Sequence, residues 1–248
     1  MTEPIIEMVN LTKRYKNFTA VDNVNLTINN KEIFGILGPN GAGKSTTILM
    51  LLGLTEPTEG YARICGIDPA TNPIQIKRKV GYLPEDVGFY DEMTGFENLV
   101  YTARLNQISD FEAETQALDL LEKVGLNDVT GKKTGKYSKG MRQRLGLADV
   151  LIKKPQIIIL DEPTSGIDPQ GVRSFLDLII QLRDEENLTI LFSSHNLHQV
   201  SQVCDRVGIY VKGNLVGCGK IEELSKNLFG DTSHNLEDVY NKYFEDDN

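Results

Sequence analysis

The segment GPNGAGKS, from Gly38 to Ser45, constrains the fold of this chain more than any other stretch. It matches the pattern G-x-x-x-x-G-K-[ST], in which glycines let the backbone turn its N–H groups toward a bound phosphate. The apolar run KEIFGILG leads into the segment and KSTTILMLLGL leads out of it, which predicts a buried strand followed by a helix. Because helix N-termini attract anions, this junction is predicted to be a phosphate-binding loop.

The residues of this loop have distinct predicted roles toward a nucleoside triphosphate. Lys44 would reach the β- and γ-phosphates, and the Ser45 hydroxyl would bind Mg²⁺. The other predicted nucleotide-binding residues of the loop are Gly38, Pro39, Asn40, Gly41, Ala42, Gly43 and Thr46.

Two further strands are predicted to carry reactive side chains at their carboxyl ends. QIIILDEP ends in Asp161 and Glu162, and ILFSSH ends in His195. Since the carboxyl ends of parallel strands line the ligand crevice, Asp161 would face Mg²⁺ across from Ser45. Glu162 would orient or deprotonate the attacking water, and His195 would contact the γ-phosphate. The simpler interpretation of His195 is a structural histidine.

The alternation of apolar strands and helices predicts a parallel sheet covered on both faces. Strands are predicted over 5–11, over 21–28 and in YARICGI, and a helical region over about 86–152. Thr94 and Ser109 each precede a glutamate by three residues, which is typical of capping boxes. The early strands and the late hairpin VGIYVKGNLVGCG predict a smaller antiparallel portion.

Composition excludes several classes of protein. The formal net charge is −9 and the pI about 4.9, which argues against a general nucleic-acid binder. The three cysteines have no C-x-x-C spacing, so buried free thiols in a reducing compartment are expected. The N-terminus lacks the pattern of a secretory signal, and no apolar run approaches the roughly 18 residues of a membrane span. We expect a soluble protein, or one held at a membrane by a partner.

A basic stretch contrasts with this acidic composition. Its members fall between residues 132 and 144 without an intervening acid: Lys132, Lys133, Lys136, Lys139, Arg142 and Arg144. The stretch predicts an anionic partner, but spacing alone does not say which molecule carries the anion.

In these residues the chain resembles the ATP-binding subunit of an ABC transporter. The matching motifs occur in the family's order: GPNGAGKST, GYLPED, YSKGM, ILDEPTSGIDP and SSHNL. Two depart from the usual pattern, because Glu85 stands where the family has glutamine and YSKGM replaces L-S-G-G-Q. Tyr15, in LTKRYKNFTAV, aligns with the aromatic residue that stacks on adenine.

The resemblance implies the fold class and the division of the chain into domains. It implies an α/β fold, with a P-loop NTPase (RecA-like) core containing the parallel sheet, a small antiparallel β subdomain and a helical subdomain. The ATP-binding domain would cover 1–228, with the helical subdomain inserted at about 86–152. Residues 229–248 would form an acidic tail with a short amphipathic helix. Its apolar stripe (Leu236, Val239, Tyr240, Tyr243 and Phe244) would pack on its own domain or on a second subunit.

The resemblance also implies cofactors, partners and the remaining site residues. ATP and Mg²⁺ would be bound, with Ser45, Asp161 and Glu85 around the metal. Two copies, most simply a homodimer, would pair head to tail, and the signature loop of each would close on the partner's ATP. The residues of that loop are Ser138, Lys139, Gly140 and Met141.

An integral membrane permease, and no nucleic acid, would be the other partner. The chain would then sit on the cytoplasmic face of the membrane and power transport, most simply export of a drug, an antibiotic or copper-related cargo. Phe89, Tyr90 and Met93 would either face the permease or pack inside the helical subdomain. The alternative is an ATPase of this class without a transport role, either a soluble scaffold or a regulatory nucleotide-binding protein.

Overall fold

Two β-sheets form the frame of the molecule, and helices cover them. The computed structural model describes residues 4–245 of the 248-residue chain. In that range the strands are β1 (Ile6–Tyr15), β2 (Phe18–Ile28), β3 (Ile33–Leu37), β4 (Glu59–Ile64), β5 (Val80–Leu83), β6 (Ile157–Asp161), β7 (Thr189–Ser194), β8 (Arg206–Val211) and β9 (Asn214–Gly219). The helices are α1 (Lys44–Leu51), α2 (Pro73–Lys79), α3 (Gly95–Leu105), α4 (Asp110–Lys123), α5 (Lys139–Leu151), α6 (Pro169–Glu186), α7 (Leu197–Val203), α8 (Ile221–Phe229) and α9 (Leu236–Glu245).

The larger sheet has the strand order β5-β6-β7-β3-β8-β9. Neighbouring strands run parallel except for the last pair, β8 and β9. Every residue of β3, β6 and β7 is buried, as expected for strands covered on both faces. The predicted parallel sheet is confirmed. Its register pairs Leu37 with Ser194 and Asp161 with Ser193, so the ends of three strands meet at one edge.

The smaller sheet contains β2, β1 and β4, all antiparallel, which confirms the predicted antiparallel subdomain. The late hairpin forms as predicted, with β8 and β9 antiparallel, but its assignment to the smaller portion was wrong, because both strands extend the larger sheet. Strand β8 is buried at every position but its first, so it fits between two neighbours and pairs in parallel with β3. Strand β9 exposes alternate residues, as suits an edge strand.

Helices α3, α4 and α5 form the helical region, and serine or threonine caps each of them. At α3 the predicted capping box is complete: the Glu97 N–H donates to Thr94 Oγ1 at 3.2 Å, and the Thr94 N–H donates to the Glu97 carboxylate at 2.7 Å. At α4 only half of it forms, since the Glu112 carboxylate accepts the Ser109 hydroxyl rather than its N–H. Ser138 caps α5 by accepting the Met141 N–H at 3.3 Å.

The C-terminal helix α9 packs against the chain's own core. Leu236 and Val239 are buried in the cluster that also holds the helical region, with Tyr240, Tyr243 and Phe244 half-buried beside them. The apolar stripe is therefore covered within one chain, which is the first of the two interpretations given above. The acidic residues that follow, Asp246 and Asp247, lie outside the described residues.

Candidate functional site

A cavity of about 240 Å³ opens where the parallel strands end and α1 begins. Its walls come from the loop before α1, the β1–β2 hairpin, the segment after β5 and the end of β6. These segments, which include three acids, are far apart in the sequence. The lining residues are Phe18, Ala20, Pro39, Asn40, Gly41, Gly43, Lys44, Ser45, Thr46, Glu85, Asp161 and Glu162. The fold thus brings most of the predicted nucleotide-binding loop together with all three predicted carboxylates.

Gly38 and Ala42 support the loop from behind rather than line the cavity. A Cβ on Gly38 would lie 2.5 Å from the Tyr210 carbonyl O, so only glycine fits there. Ala42 is buried, and its carbonyl accepts the Gly213 N–H at 3.0 Å from the turn between β8 and β9.

The loop wraps closely because two of its glycines have left-handed backbone. Gly41 has φ of +81° and Gly43 has φ of +103°. A Cβ on Gly43 would lie 2.5 Å from the Ala20 carbonyl O. Gly43 is also the N-cap of α1, where no side chain caps the helix and no acid stands in the first turn. The first amides of α1 therefore stay available to an anion.

Lys44 is buried at the mouth of this loop, with a side chain only 6% exposed. Its ammonium donates to the Gly38 carbonyl O at 2.5 Å and lies 3.3 Å from Glu162 Oε1. A buried ammonium needs such partners, because desolvation otherwise disfavours its charge. These contacts hold the lysine ammonium at the wall of the cavity.

Asp161 ends β6 as a buried carboxylate. Burial raises its pKa, and the hydroxyls of Ser193 and Ser45 act in the opposite direction. Its Oδ1 atom has no hydrogen-bond partner among residues 4–245. Nearby, burial and then the Asp161 charge raise the pKa of Tyr82 to about 12. A buried oxygen without a partner, next to the Ser45 hydroxyl, suits Mg²⁺, which takes few protein ligands and completes its shell with water and phosphate. Among the described residues, no three histidine, cysteine or acidic side chains lie in an arrangement that could hold a metal ion.

Glu162 connects the buried lysine to an exposed histidine. Its carboxylate lies 3.3 Å from Lys44 Nζ on one oxygen and hydrogen-bonds His195 Nδ1 at 2.9 Å with the other. Its backbone has φ of +47°, a region that non-glycine residues seldom adopt and that costs about 1–3 kcal/mol. The Glu162 N–H donates to the Ser193 carbonyl O at 3.0 Å, which holds this conformation against β7. The sequence does not signal this strained backbone.

Aromatic rings stand at the rim of the cavity on the β1–β2 hairpin. Tyr15 and Phe18 are cross-strand partners there, 46% and 60% exposed. Phe18 lines the cavity, whereas Tyr15 lies beside it with Lys13 Nζ 5.1 Å from its ring centroid. Sequence reasoning named only Tyr15. The second aromatic residue three positions later in the same hairpin was the available signal for Phe18.

The signature loop lies outside this cavity. None of Ser138, Lys139, Gly140 and Met141 is among the described residues that line it. Ser138 is exposed at the start of α5, and a Cβ on Gly140 would meet Ile167 at 3.4 Å.

Three members of the basic stretch around this loop pair with acids of the same chain. Lys133 pairs with Glu92 at 2.7 Å. Arg142 pairs with Asp91 at 2.8 Å, and Lys139 pairs with Asp86. Arg144 hydrogen-bonds the Val124 carbonyl O and the Ser174 hydroxyl. These acids come from the segment 86–92, so three of the six basic residues bind that segment.

A glycine cradle at a helix N-terminus, with a buried lysine and two carboxylates at the ends of parallel strands, defines a P-loop nucleoside triphosphatase. The sequence then places the chain within that class. The profile of the ABC transporter family matches residues 21–165, and the chain belongs to this family. It is accordingly an ATP-binding and ATP-hydrolysing subunit, which confirms the resemblance and the predicted fold class.

Three known proteins illustrate the similarity. The chain is 43% identical over 212 residues to the bacitracin transport ATP-binding protein BcrA of Bacillus licheniformis, covering 86% of this chain and 68% of that protein. CbiO1 from Clostridium perfringens, part of the ABC transporter complex cbiONQ, superposes with a TM-score of 0.83, 25% identity and 92% coverage of both chains. The dimeric, ADP- and Pi-bound post-hydrolysis state of the cassette MJ0796 gives a TM-score of 0.78 and 27% identity, covering 87% of this chain and 98% of that one.

Among residues 4–245, no helix is both long enough and apolar enough to cross a membrane.

Proposed function

We propose that this chain hydrolyses ATP between two copies of itself and thereby powers a membrane permease, most simply an exporter. The observation that carries the proposal is the position of Glu162, between the buried Lys44 and His195 at the mouth of the phosphate loop. The name of BcrA, a bacitracin transport protein, and the membership of CbiO1 in a transporter complex support the coupling to transport.

ATP would lie with its phosphates against the loop from Gly38 to Thr46. The Lys44 ammonium would exchange its contact with Glu162 for the β- and γ-phosphates, since an anionic phosphate is the stronger partner. The adenine would stack at the β1–β2 hairpin, on Tyr15 with Phe18 beside it. Exposed aromatic rings next to a phosphate site are suited to stacking on a base.

Glu162, released from Lys44, would orient a water molecule for attack on the γ-phosphorus and take its proton. The new P–O bond forms as the bond between the γ-phosphorus and the bridging oxygen breaks, which yields ADP and phosphate. His195 would keep Glu162 in place through the hydrogen bond between them and would contact the γ-phosphate itself. Both roles depend on positioning and on charge, which dominate phosphoryl transfer.

Mg²⁺ would be held by Ser45 and Asp161, with Glu85 as a further candidate at the cavity wall. When bound, the ion neutralises charge on the β- and γ-phosphates. Asp161 supports this assignment because its Oδ1 is buried without a hydrogen-bond partner in the described part of the chain.

The segment Ser138–Met141, with Ser138 exposed at the start of α5, supports a second copy as the dimer partner. This segment is the start of a helix and does not line the chain's own cavity. A phosphate bound at this helix N-terminus would therefore belong to a nucleotide held by another molecule. The similarity to the dimeric MJ0796 cassette supports this arrangement. Each copy would then place the segment Ser138–Met141 against the nucleotide of the other.

The permease would dock on the helical region from the cytoplasmic face of the membrane. Tyr90 is 56% exposed and meets the Tyr101 ring edge-on at 5.1 Å, which gives an aromatic patch open to solvent. Phe89 is half-buried against the core, so it would support the patch rather than form it. Met93 is likewise half-buried.

A sedimentation experiment on Glu162→Gln tests the proposal, because ATP should accumulate unhydrolysed in that variant. We expect MgATP to convert the monomer to a dimer and MgADP to leave it monomeric. Ser138→Arg, which places a bulky side chain at the loop, should block the dimer while ATP still binds the monomer. A Glu162→Gln protein that binds ATP and never pairs would reject the dimer.

A further inference from the structure

Lys139 stands at a position from which its side chain reaches another loop of the same chain. It is the first residue of α5, directly after the capping Ser138. Its ammonium donates to the Glu85 carbonyl O at 3.1 Å and pairs with the Asp86 carboxylate. The hydrogen bond and the charge of Lys139 lower the pKa of Asp86. The side chain therefore binds the segment that follows β5.

A second side chain of α5 converges on the same carbonyl. Gln143 is fully buried and donates from Nε2 to the Glu85 carbonyl O at 2.6 Å. The stem of Lys139 passes beside Gly166, where an added Cβ would lie 3.8 Å from Lys139 Cγ. The start of α5 is thus fastened to the loop that carries Glu85, and Glu85 lines the nucleotide cavity.

A direct contact between Lys139 and a partner's phosphate is the competing role for this ammonium. Two features favour the contact within the chain. The ammonium already has a carboxylate and a carbonyl as partners. The neighbouring Arg142 follows the same pattern, since it pairs with Asp91 in the same acidic segment.

We infer that Lys139 is a positioning residue that holds the Ser138 end of α5 against Glu85 and Asp86. The Lys139 contact would therefore fix the position of Glu85, which faces this chain's own nucleotide, relative to Ser138, which faces the partner's nucleotide. The consequence for the dimer rests on the proposed function. The local contact does not, so the two can be tested separately.

Hydrogen exchange of the nucleotide-free monomer tests the local contact. Lys139→Met and Asp86→Asn should each speed exchange of the Met141 and Arg142 amides about two- to fivefold, as expected for a partly exposed ion pair. Both amides donate to Ser138 in the first turn of α5, which this contact holds in place. The double variant should be no faster than either single variant, because both remove the same contact. The reversed pair, Lys139→Asp with Asp86→Lys, should restore most of the protection.

Lys133→Met and Glu92→Gln are the matched controls. They break another ion pair between a lysine and an acid of the segment 86–92, with no contact to the Glu85 carbonyl. Exchange of the Met141 and Arg142 amides should be unchanged in both. Unchanged exchange in Lys139→Met and Asp86→Asn as well would overturn the inference.

The dimer supplies the second measurement. In the Glu162→Gln background, either single substitution should raise the ATP concentration for half-maximal dimer about two- to fivefold, with monomer ATP affinity unchanged. The reversed pair should recover the original value. If Lys139→Met weakens the ATP-dependent dimer and Asp86→Asn does not, Lys139 contacts the partner's phosphate and the inference is overturned. If exchange responds as expected but Glu162→Gln never dimerises, the proposed function fails and the contact stands.

Discussion

Glu162 Oε2 lies 2.9 Å from His195 Nδ1, which joins the end of β6 to the end of β7 directly above the phosphate loop. The other oxygen of the same carboxylate faces the Lys44 ammonium. One carboxylate therefore contacts both a buried ammonium suited to hold phosphate and an exposed histidine. Under the proposed mechanism, a nucleotide that draws Lys44 away would leave His195 as the side-chain partner of Glu162, whose carboxylate would then accept a proton from water.

Replacing Glu162 with glutamine should separate binding from turnover. We expect phosphate release to fall about 10²- to 10⁴-fold, because the amide cannot accept the proton of the attacking water. ATP affinity should stay within a few-fold of wild type, since Lys44 and the loop amides are intact. A phosphate-release assay and calorimetry check the two parts. Near wild-type release would assign the activation of water to another group.

Replacing Lys44 with alanine should weaken nucleotide binding about 10- to 100-fold, the value of one or two hydrogen bonds to a charged group. Calorimetric titration with ATP measures it. Lys226→Ala removes the same charge from an exposed position on α8 and should leave the affinity unchanged. Equal affinities in the two variants would contradict the role given to the phosphate loop.

Asp161→Asn should change the pH dependence of stability. Burial raises the pKa of Asp161, so the folded chain binds this proton more tightly than the unfolded chain does. The free energy of unfolding therefore falls as pH rises from the unfolded carboxyl's pKa through the raised folded one. Without nucleotide, Asp161→Asn should be the more stable protein at neutral pH and should converge with wild type in acid.

Urea denaturation across this pH range measures the effect, and Asp86→Asn provides a control of opposite sign. Lys139 lowers the pKa of Asp86, so that carboxylate stabilises the fold above its unfolded pKa and loses the contribution in acid. At neutral pH, Asp86→Asn should therefore be less stable than wild type. If the free energy of unfolding depends on pH in the same way for wild type and Asp161→Asn, burial of the ionised Asp161 does not destabilise the fold.

Leu236→Ala should lower the free energy of unfolding by about 2–5 kcal/mol, as for other buried leucines. The reason is that α9 belongs to the core of this chain, where Leu236 is 2% exposed. Glu237→Ala alters the exposed next residue and should change stability by no more than about 0.5 kcal/mol. A Leu236→Ala protein of unchanged stability, with a weakened dimer, would instead make α9 an interface helix.

Local sequence patterns predicted the parts of the molecule that local physics determines. The glycines of the phosphate loop, the apolar strands and the Thr94 cap each depend on neighbouring residues, and each lies where it was expected. The order of the strands in the larger sheet could not be predicted from such local patterns. Strand β8 joins β3 because both are buried on two faces, a pairing across the whole chain that no short pattern specifies.

Individual side-chain partners were the least predictable feature. Lys139 belonged to a stretch that indicated an external anion, yet its partner Asp86 lies 53 positions earlier. Only the packing of α5 against the segment after β5 brings the two together. The left-handed backbone of Glu162 is similar, because the Ser193 carbonyl on another strand holds it in place.

The turn between β8 and β9 has a consequence for engineering. Exposed hairpin turns are usually the places where a protein tolerates an inserted tag or domain. Here the Gly213 N–H donates to Ala42 at the back of the phosphate loop, and its carbonyl accepts the Asp22 N–H. A fluorescent reporter spliced into this turn would deform the nucleotide pocket even though it lies roughly 170 residues further along the sequence.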